Sequence, residues 1–208
     1  MKLNLDERTE ALKEIKQAVL ELTASPLYAF RIANKSLPVI GEGAHDAKIM
    51  FVGEAPGKNE AATGRPFCGA SGKLLDELLA SVKIAREAVY ITNIVKDRPP
   101  ENRDPSPEEI AIYGPFLDKQ IEIIQPEIIA TLGRFSMQYI MTRFGLADLL
   151  LPISQTHGQL FQAEIHPATG GASYGQVKIL PLYHPAAAIY NRALLDTLKE
   201  DFQKLKTI

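Results

Sequence analysis

Three short stretches of this 208-residue chain combine residue types able to act on a polar ligand. The first is Gly53-Glu54-Ala55-Pro56-Gly57-Lys58-Asn59-Glu60, followed by Gly64-Arg65-Pro66-Phe67. Glycines on either side of Glu-Ala-Pro free the backbone to aim N–H groups at a phosphate or a carbonyl-bearing base. A P-loop is excluded, because the Gly53 to Gly57 spacing is one residue short and Lys58 is followed by Asn59 rather than Ser or Thr. The second stretch is Thr92-Asn93, with Lys96, Arg98 and Arg103 after it among prolines. A side-chain amide at a strand end offers a donor and an acceptor side by side, which suits the imide or amide edge of a base, and nearby cations can neutralise phosphates. The plain alternative is an Asn bonded to its own backbone beside a solvated basic loop. The third stretch, Tyr183-His184-Pro185-Ala186-Ala187, puts an imidazole just before a helix start, where a proton donor would face the same crevice. His45, His157 and His166 have no such placement and read as structural or solvated. No His-Glu-x-x-His, Cys-x-x-Cys or Gly-x-Ser-x-Gly pattern occurs, so neither a metal site nor a serine nucleophile is expected.

These stretches need strands that end beside one another. Lys48 to Gly53 is an apolar run opening straight into the first stretch, Ala88 to Thr92 leads into the second, and Glu127 to Leu132 forms a third run before Gly133. Leu12, Ile15, Val19 and Leu22 recur at helical spacing over Asp6 to Leu22, ending before Pro26; Leu74, Leu75, Leu78 and Leu79 do so over Ser71 to Val82. Ser106 should cap a helix with Pro107 in its first turn, Glu108 and Glu109 near its positive end, and apolar residues out to Ile124. A further helix follows Gly133 to about Phe144, and a last one runs from about Ala187 to Leu205. Between Leu151 and Pro181 two runs, QLFQAEI and QVKILPL, are expected to pair around Pro167–Gly175. Strands alternating with helices predict an α/β fold with a mainly parallel sheet covered on both faces, its ligands gathering at the C-terminal strand ends.

Composition bounds these readings. With 46% hydrophobic residues the chain can bury one core, and no linker or repeat divides it, so residues 1–208 read as a single domain with 1–47 as an N-terminal helix and lead-in. The balance of 23 Lys+Arg against 25 Asp+Glu gives a net charge of −2, so any nucleic-acid contact must be local. No apolar run approaches the ~20 residues of a membrane span, and the charged start lacks a signal-peptide pattern; a cytoplasmic protein without a membrane partner is the expectation. A single cysteine, Cys68, excludes an internal disulfide framework.

Taken together, GEAPGKNE, GRPFCGASGKLLDELL, VYITNIVKDRPPENRDPSPEEI and LYHPAAAIYN, in this order, closely resemble the family 4 uracil-DNA glycosylases, over roughly Ser25 to Phe202 and including the segment Pro26 to Arg31. The resemblance implies a three-layer α/β/α sandwich, here around a central, mainly parallel four-stranded sheet. It also implies a monomeric enzyme that flips deoxyuridine out of single- or double-stranded DNA and cleaves its N-glycosidic bond. By motif position it assigns Phe67 to stacking on uracil, Asn93 to its hydrogen-bonding edge, Glu60 to the place of the thymine methyl, and His184 to the departing base. Glu54 and the backbone of Ala55 fall beside sugar and base, with Glu54 either positioning water or balancing a sugar cation. Lys96, Arg98, Arg103 and Arg192 are the expected DNA contacts. Alternatives of another class are a uracil-DNA trapping protein and an inactive nucleotide-binding homologue.

One departure accompanies the match. Family 4 enzymes usually hold a four-iron, four-sulfur cluster through four cysteines, and those positions here read Leu22, Ser25, Asp97 and Tyr113. No cofactor is therefore expected, and Leu22 and Tyr113 are the candidates to fill the vacated space.

Overall fold

The computed structural model describes residues 3–166, 173 and 175–206. Its elements in chain order are α1 (Leu5–Leu20), α2 (Tyr28–Ala33), β1 (Glu42–Gly43), β2 (Ile49–Gly53), α3 (Lys58–Thr63), α4 (Ala70–Ser81), β3 (Tyr90–Asn93), α5 (Pro107–Ile124), β4 (Ile128–Leu132), α6 (Arg134–Arg143), α7 (Ile153–Thr156), β5 (Phe161–Ile165), β6 (Gly175–Leu182), α8 (Pro185–Tyr190) and α9 (Leu194–Gln203). The sheet order is β1-β3-β2-β4-β6-β5. Its four middle strands are parallel, as expected, and β1 and β5 add an antiparallel strand at each edge, making six rather than four. Residues 167–172 and 174 of the expected hairpin turn lie outside the described residues, but the two runs do pair as β5 and β6.

The middle strands are apolar throughout because both faces are covered. Successive side chains alternate between faces, so Met50 and Val52 pack with α1, α5 and α6, while Phe51 packs with α4 and α9. Phe51 stacks on Phe202 with ring centroids 5.8 Å apart. Ser106 caps α5 through a reciprocal pair: its hydroxyl accepts from the Glu109 N–H (3.2 Å) and the Glu109 carboxylate accepts from the Ser106 N–H (2.8 Å). The expected single last helix is instead two, α8 and α9. Asn191 is extended between them, and its side-chain oxygen accepts from the Ala193 N–H, a local bond that competes with helix continuation. Among the described residues no helix is long and apolar enough to cross a membrane.

Two buried arginines fasten the N-terminal segment. Arg8 donates to the carbonyls of Leu3, His45 and Ile124, the last at the C-terminal end of α5. Arg31 donates to Val19 and Leu20, the closing carbonyls of α1, where orphan acceptors and the helix dipole favour a cation. Arg31 also meets both oxygens of Asp97 at 3.1 and 3.3 Å. Tyr113 gives its one phenolic proton to Asp97 Oδ2 (2.6 Å), so Ser25, 2.7 Å away, must donate to Tyr113. Ser25, Asp97 and Tyr113 are three of the four positions at which the resemblance would put thiolates, and the fourth, Leu22, packs on the core. A hydroxyl, a phenol and a carboxylate already bonded to Arg31 do not fit an iron–sulfur cluster, whose ligands are thiolates. Tyr113, wholly buried, fills the expected space.

Removing Asp97 would leave the Arg31 guanidinium buried without its counter-charge. Asp97→Ala is therefore expected to cost about 3–5 kcal/mol in chemical denaturation, and protein purified anaerobically should carry no stoichiometric iron. A silent Asp97→Ala, or one cluster's worth of iron, would overturn this account.

Candidate active site

The C-terminal ends of β2 and β3 and the start of α8 surround a cavity of about 380 Å³. Pairing of β2 with β3 sets Gly53 opposite Asn93 and continues beyond the strands, with Ile94 N–H donating to Gly53 O and Val95 N–H to Glu54 O. The two loops therefore leave the sheet together. A Cβ on Gly53 would stand 2.3 Å from Asn93 Oδ1 and 2.8 Å from the Phe67 ring, so glycine is required by space rather than by backbone angle. Phe67 itself takes a left-handed backbone (φ 47°), uncommon for a bulky residue. Its carbonyl lies where a Cβ on Gly72 would be, 1.8 Å away, so α4 presses against the turn and holds it.

The structure brings together Glu54, Ala55, Glu60, Phe67, Asn93 and His184 in the wall of this cavity. Asn93 is 2% exposed, yet among the described residues its side-chain amide has no hydrogen-bond partner. The amide faces the cavity, so its donor and acceptor are both available to a ligand. Glu60 is aimed by the start of α4, its Oε1 accepting from the N–H groups of Cys68 (3.0 Å) and Gly69 (2.9 Å). Phe67 and His184 have ring centroids 5.6 Å apart.

His184 caps α8: its Nδ1 accepts from the Ala186 N–H at 3.1 Å, which leaves the ring proton on Nε2. Burial pushes its pKa down to about 4, with Glu60 opposing in part, so the ring is a neutral donor at physiological pH. Burial acts the other way on Glu54, pushing its carboxyl up to about 7; Asp104 adds to the rise and Arg134 opposes it. The site thus holds a carboxylate able to take a proton near neutrality and an imidazole able to donate a hydrogen bond without being charged.

The expected cations divide. Lys96 is 0% exposed, and its ammonium is bonded to Asn93 O, Gln120 Oε1 and Thr92 Oγ1 inside the protein; it cannot reach a phosphate. Its neighbours in sequence gave the wrong picture because α5, distant along the chain, covers it. Arg103 lines the cavity but is held in a bidentate pair by buried Glu109 (2.9 and 2.5 Å), and Arg98 donates to Asn102 Oδ1 (2.7 Å). Arg192 is exposed between α8 and α9. Of the other histidines, His45 bonds Thr9 and His157 bonds Asp201, as structural residues do.

Two residues that bear on the site were not anticipated. Arg134, 61% exposed and paired with Asp104 at 2.5 Å, opens α6. A cation at a helix N-terminus opposes the dipole, and that misfit was the available signal. Tyr190, 91% exposed at the end of α8, lines the cavity mouth; within the run AAAIYN nothing local marked it as uncovered.

If the surroundings of Glu54 are as described, a carbon-detected NMR titration should give it a midpoint near 7. Asp104→Asn should lower that midpoint and Arg134→Gln should raise it. An ordinary carboxylate midpoint would contradict the burial argument.

Comparison with known proteins gives a family and close relatives. The family model described as the uracil DNA glycosylase superfamily matches residues 40–206. A type-4 uracil-DNA glycosylase of Sulfurisphaera tokodaii is 42% identical over 96% of this chain and 85% of its own length. That of Archaeoglobus fulgidus is 41% identical over 94% of this chain and 92% of its own. The Thermotoga maritima type-4 enzyme is 39% identical, covering 96% and 95%.

Proposed function

The chain belongs to the uracil DNA glycosylase superfamily, and on that footing we propose that it hydrolyses the N-glycosidic bond of deoxyuridine in DNA, releasing uracil and leaving an abasic site. The observation that carries the reading is the Asn93 amide, facing the cavity beside the ring of Phe67 and without a hydrogen-bond partner among the described residues. Uracil donates at N3–H and accepts at O4, which matches Asn93 Oδ1 and Nδ2. Phe67 supplies a stacking surface for a base that has left the duplex, worth roughly 1–3 kcal/mol. The exposed ring of Tyr190 at the cavity mouth suits the gap that the extruded nucleotide leaves in the helix. Glu60, held by two backbone N–H groups, stands rigid where a C5 methyl would enter.

In the chemical step the bond from C1′ to N1 breaks, and its electron pair moves onto uracil, spread towards the ring oxygens. His184 Nε2–H donates to that oxygen as negative charge develops, assisted by the Ala55 N–H. Water attacks C1′ and gives its proton to Glu54, whose raised pKa makes it a base near neutrality. A neutral donor suits this work, since a charged imidazolium would also attract the ground-state base; preorganised donors act where charge forms.

A uracil-release assay with product analysis tests the reading: free uracil and abasic DNA are expected, and covalently trapped DNA or no release would overturn it. His184→Ala should slow single-turnover cleavage by about 10²–10³ with little change in affinity for uracil-containing DNA, and His184→Asn should recover part of that. The rate should fall as pH drops through about 7, where Glu54 takes its proton, and Glu54→Gln should remove this limb. Because net charge is −2, phosphate contact depends on local cations. Arg192→Ala should shrink the salt slope of DNA binding by about 0.7–0.9, one phosphate's worth; an unchanged slope would remove Arg192 from the DNA surface.

A further inference from the structure

Among the described residues Lys96 is one of the largest fully buried side chains, and it has no carboxylate partner there. A buried charge without a counter-ion is costly, and burial pushes its pKa well below the ordinary lysine value. What it does have is three acceptors for three protons: Gln120 Oε1 at 2.6 Å, the main-chain carbonyl of Asn93 at 2.7 Å, and Thr92 Oγ1 at 2.9 Å. Two of these belong to the last two residues of β3. The third stands on α5 and is itself anchored, since Gln120 Nε2 donates to Ile40 O (2.8 Å) and to the Tyr90 hydroxyl (3.2 Å).

The main chain around Lys96 is held as well. Its carbonyl accepts from Val39 N–H (2.8 Å), and Asp97 turns the opposite way to meet Arg31 and Tyr113. Asn93 thus has its main-chain carbonyl tied to Lys96, while its side-chain amide has no hydrogen-bond partner among the described residues. The aim of that amide is therefore set by where the main chain puts it. We propose that Lys96 is a positioning residue for base recognition, tying the end of β3 to α5 so that the Asn93 amide meets the base edge in register. The proposal rests on the reading of Asn93 as the group that contacts uracil. Lys96 itself touches no substrate.

Lys96→Met keeps the length and apolar volume of the stem and removes the three bonds. Four quantities separate positioning from general loosening: the dissociation constant of free uracil measured directly by calorimetry, affinity for abasic-site DNA, the salt slope of that affinity, and the melting temperature. The expected result is a rise of ~10-fold or more in the uracil constant, a matching fall in kcat/KM, and unchanged abasic-DNA affinity and salt slope. Thr92→Val keeps the ammonium and two of its acceptors and should show a smaller loss of the same kind. It decides the matter if Lys96→Met fails to fold. An unchanged uracil constant in the folded variants overturns the proposal, as does a parallel loss of uracil and abasic-DNA binding with a lowered melting temperature. Binding of free uracil is read without turnover, so a wild-type protein that binds uracil but releases none from DNA overturns the glycosylase reading and not this one.

Discussion

Gly53 and Asn93 face each other across two parallel strands with no room between them for a single carbon. That close approach is what the cavity depends on. The missing side chain lets the Asn93 amide and the Phe67 ring occupy one small space, and continued pairing beyond the strand ends makes the two loops diverge from a common base. Gly72 repeats the device one layer out, leaving room for the Phe67 carbonyl and so allowing a left-handed phenylalanine. Both glycines act through absence of volume at a fixed point. A larger residue at either would move a group in the cavity wall, not merely crowd the core.

Burial of the groups in the cavity wall then sets the protonation states. Desolvation disfavours whichever form of a group is charged, so one environment lifts the Glu54 carboxyl to about 7 and drops the His184 imidazole to about 4. The cavity therefore pairs a carboxyl that can take up a proton near neutrality with a neutral imidazole donor. Asp104 and Arg134 adjust Glu54 in opposite senses through their charges, and their exposed pairing makes that adjustment sensitive to ionic strength.

The N-terminal segment is fastened with the same economy. Where the resemblance would place thiolates around iron, Ser25, Tyr113 and Asp97 pass hydrogen bonds to one another and on to Arg31, which closes α1. A cluster joins chain segments by coordination; this quartet joins α1, α5 and the loop after β3 by shared protons, all of them buried. The next residue back, Lys96, grips the same loop from its other side.

Periodicity determined β2 to β6 and the helices α1, α4, α5 and α6, because each of them buries a face and the spacing of apolar residues records that face locally; the short β1, α2, α3 and α7 were not anticipated. The helix start at Ser106 and the loop glycines were legible for the same reason: caps and tight turns are satisfied by near neighbours. The ordered motifs carried Glu54, Phe67, Asn93 and His184, which do meet in one cavity. Tertiary structure alone decided the rest. Lys96 sits among Asp, Arg and Pro in the sequence and reads as a surface cation, yet Gln120, on α5, is what buries and satisfies it. Tyr190 reads as apolar and is almost wholly exposed, because no element packs over the end of α8. Burial is a property of what covers a side chain, and the covering groups are far away along the chain; no local window contains them.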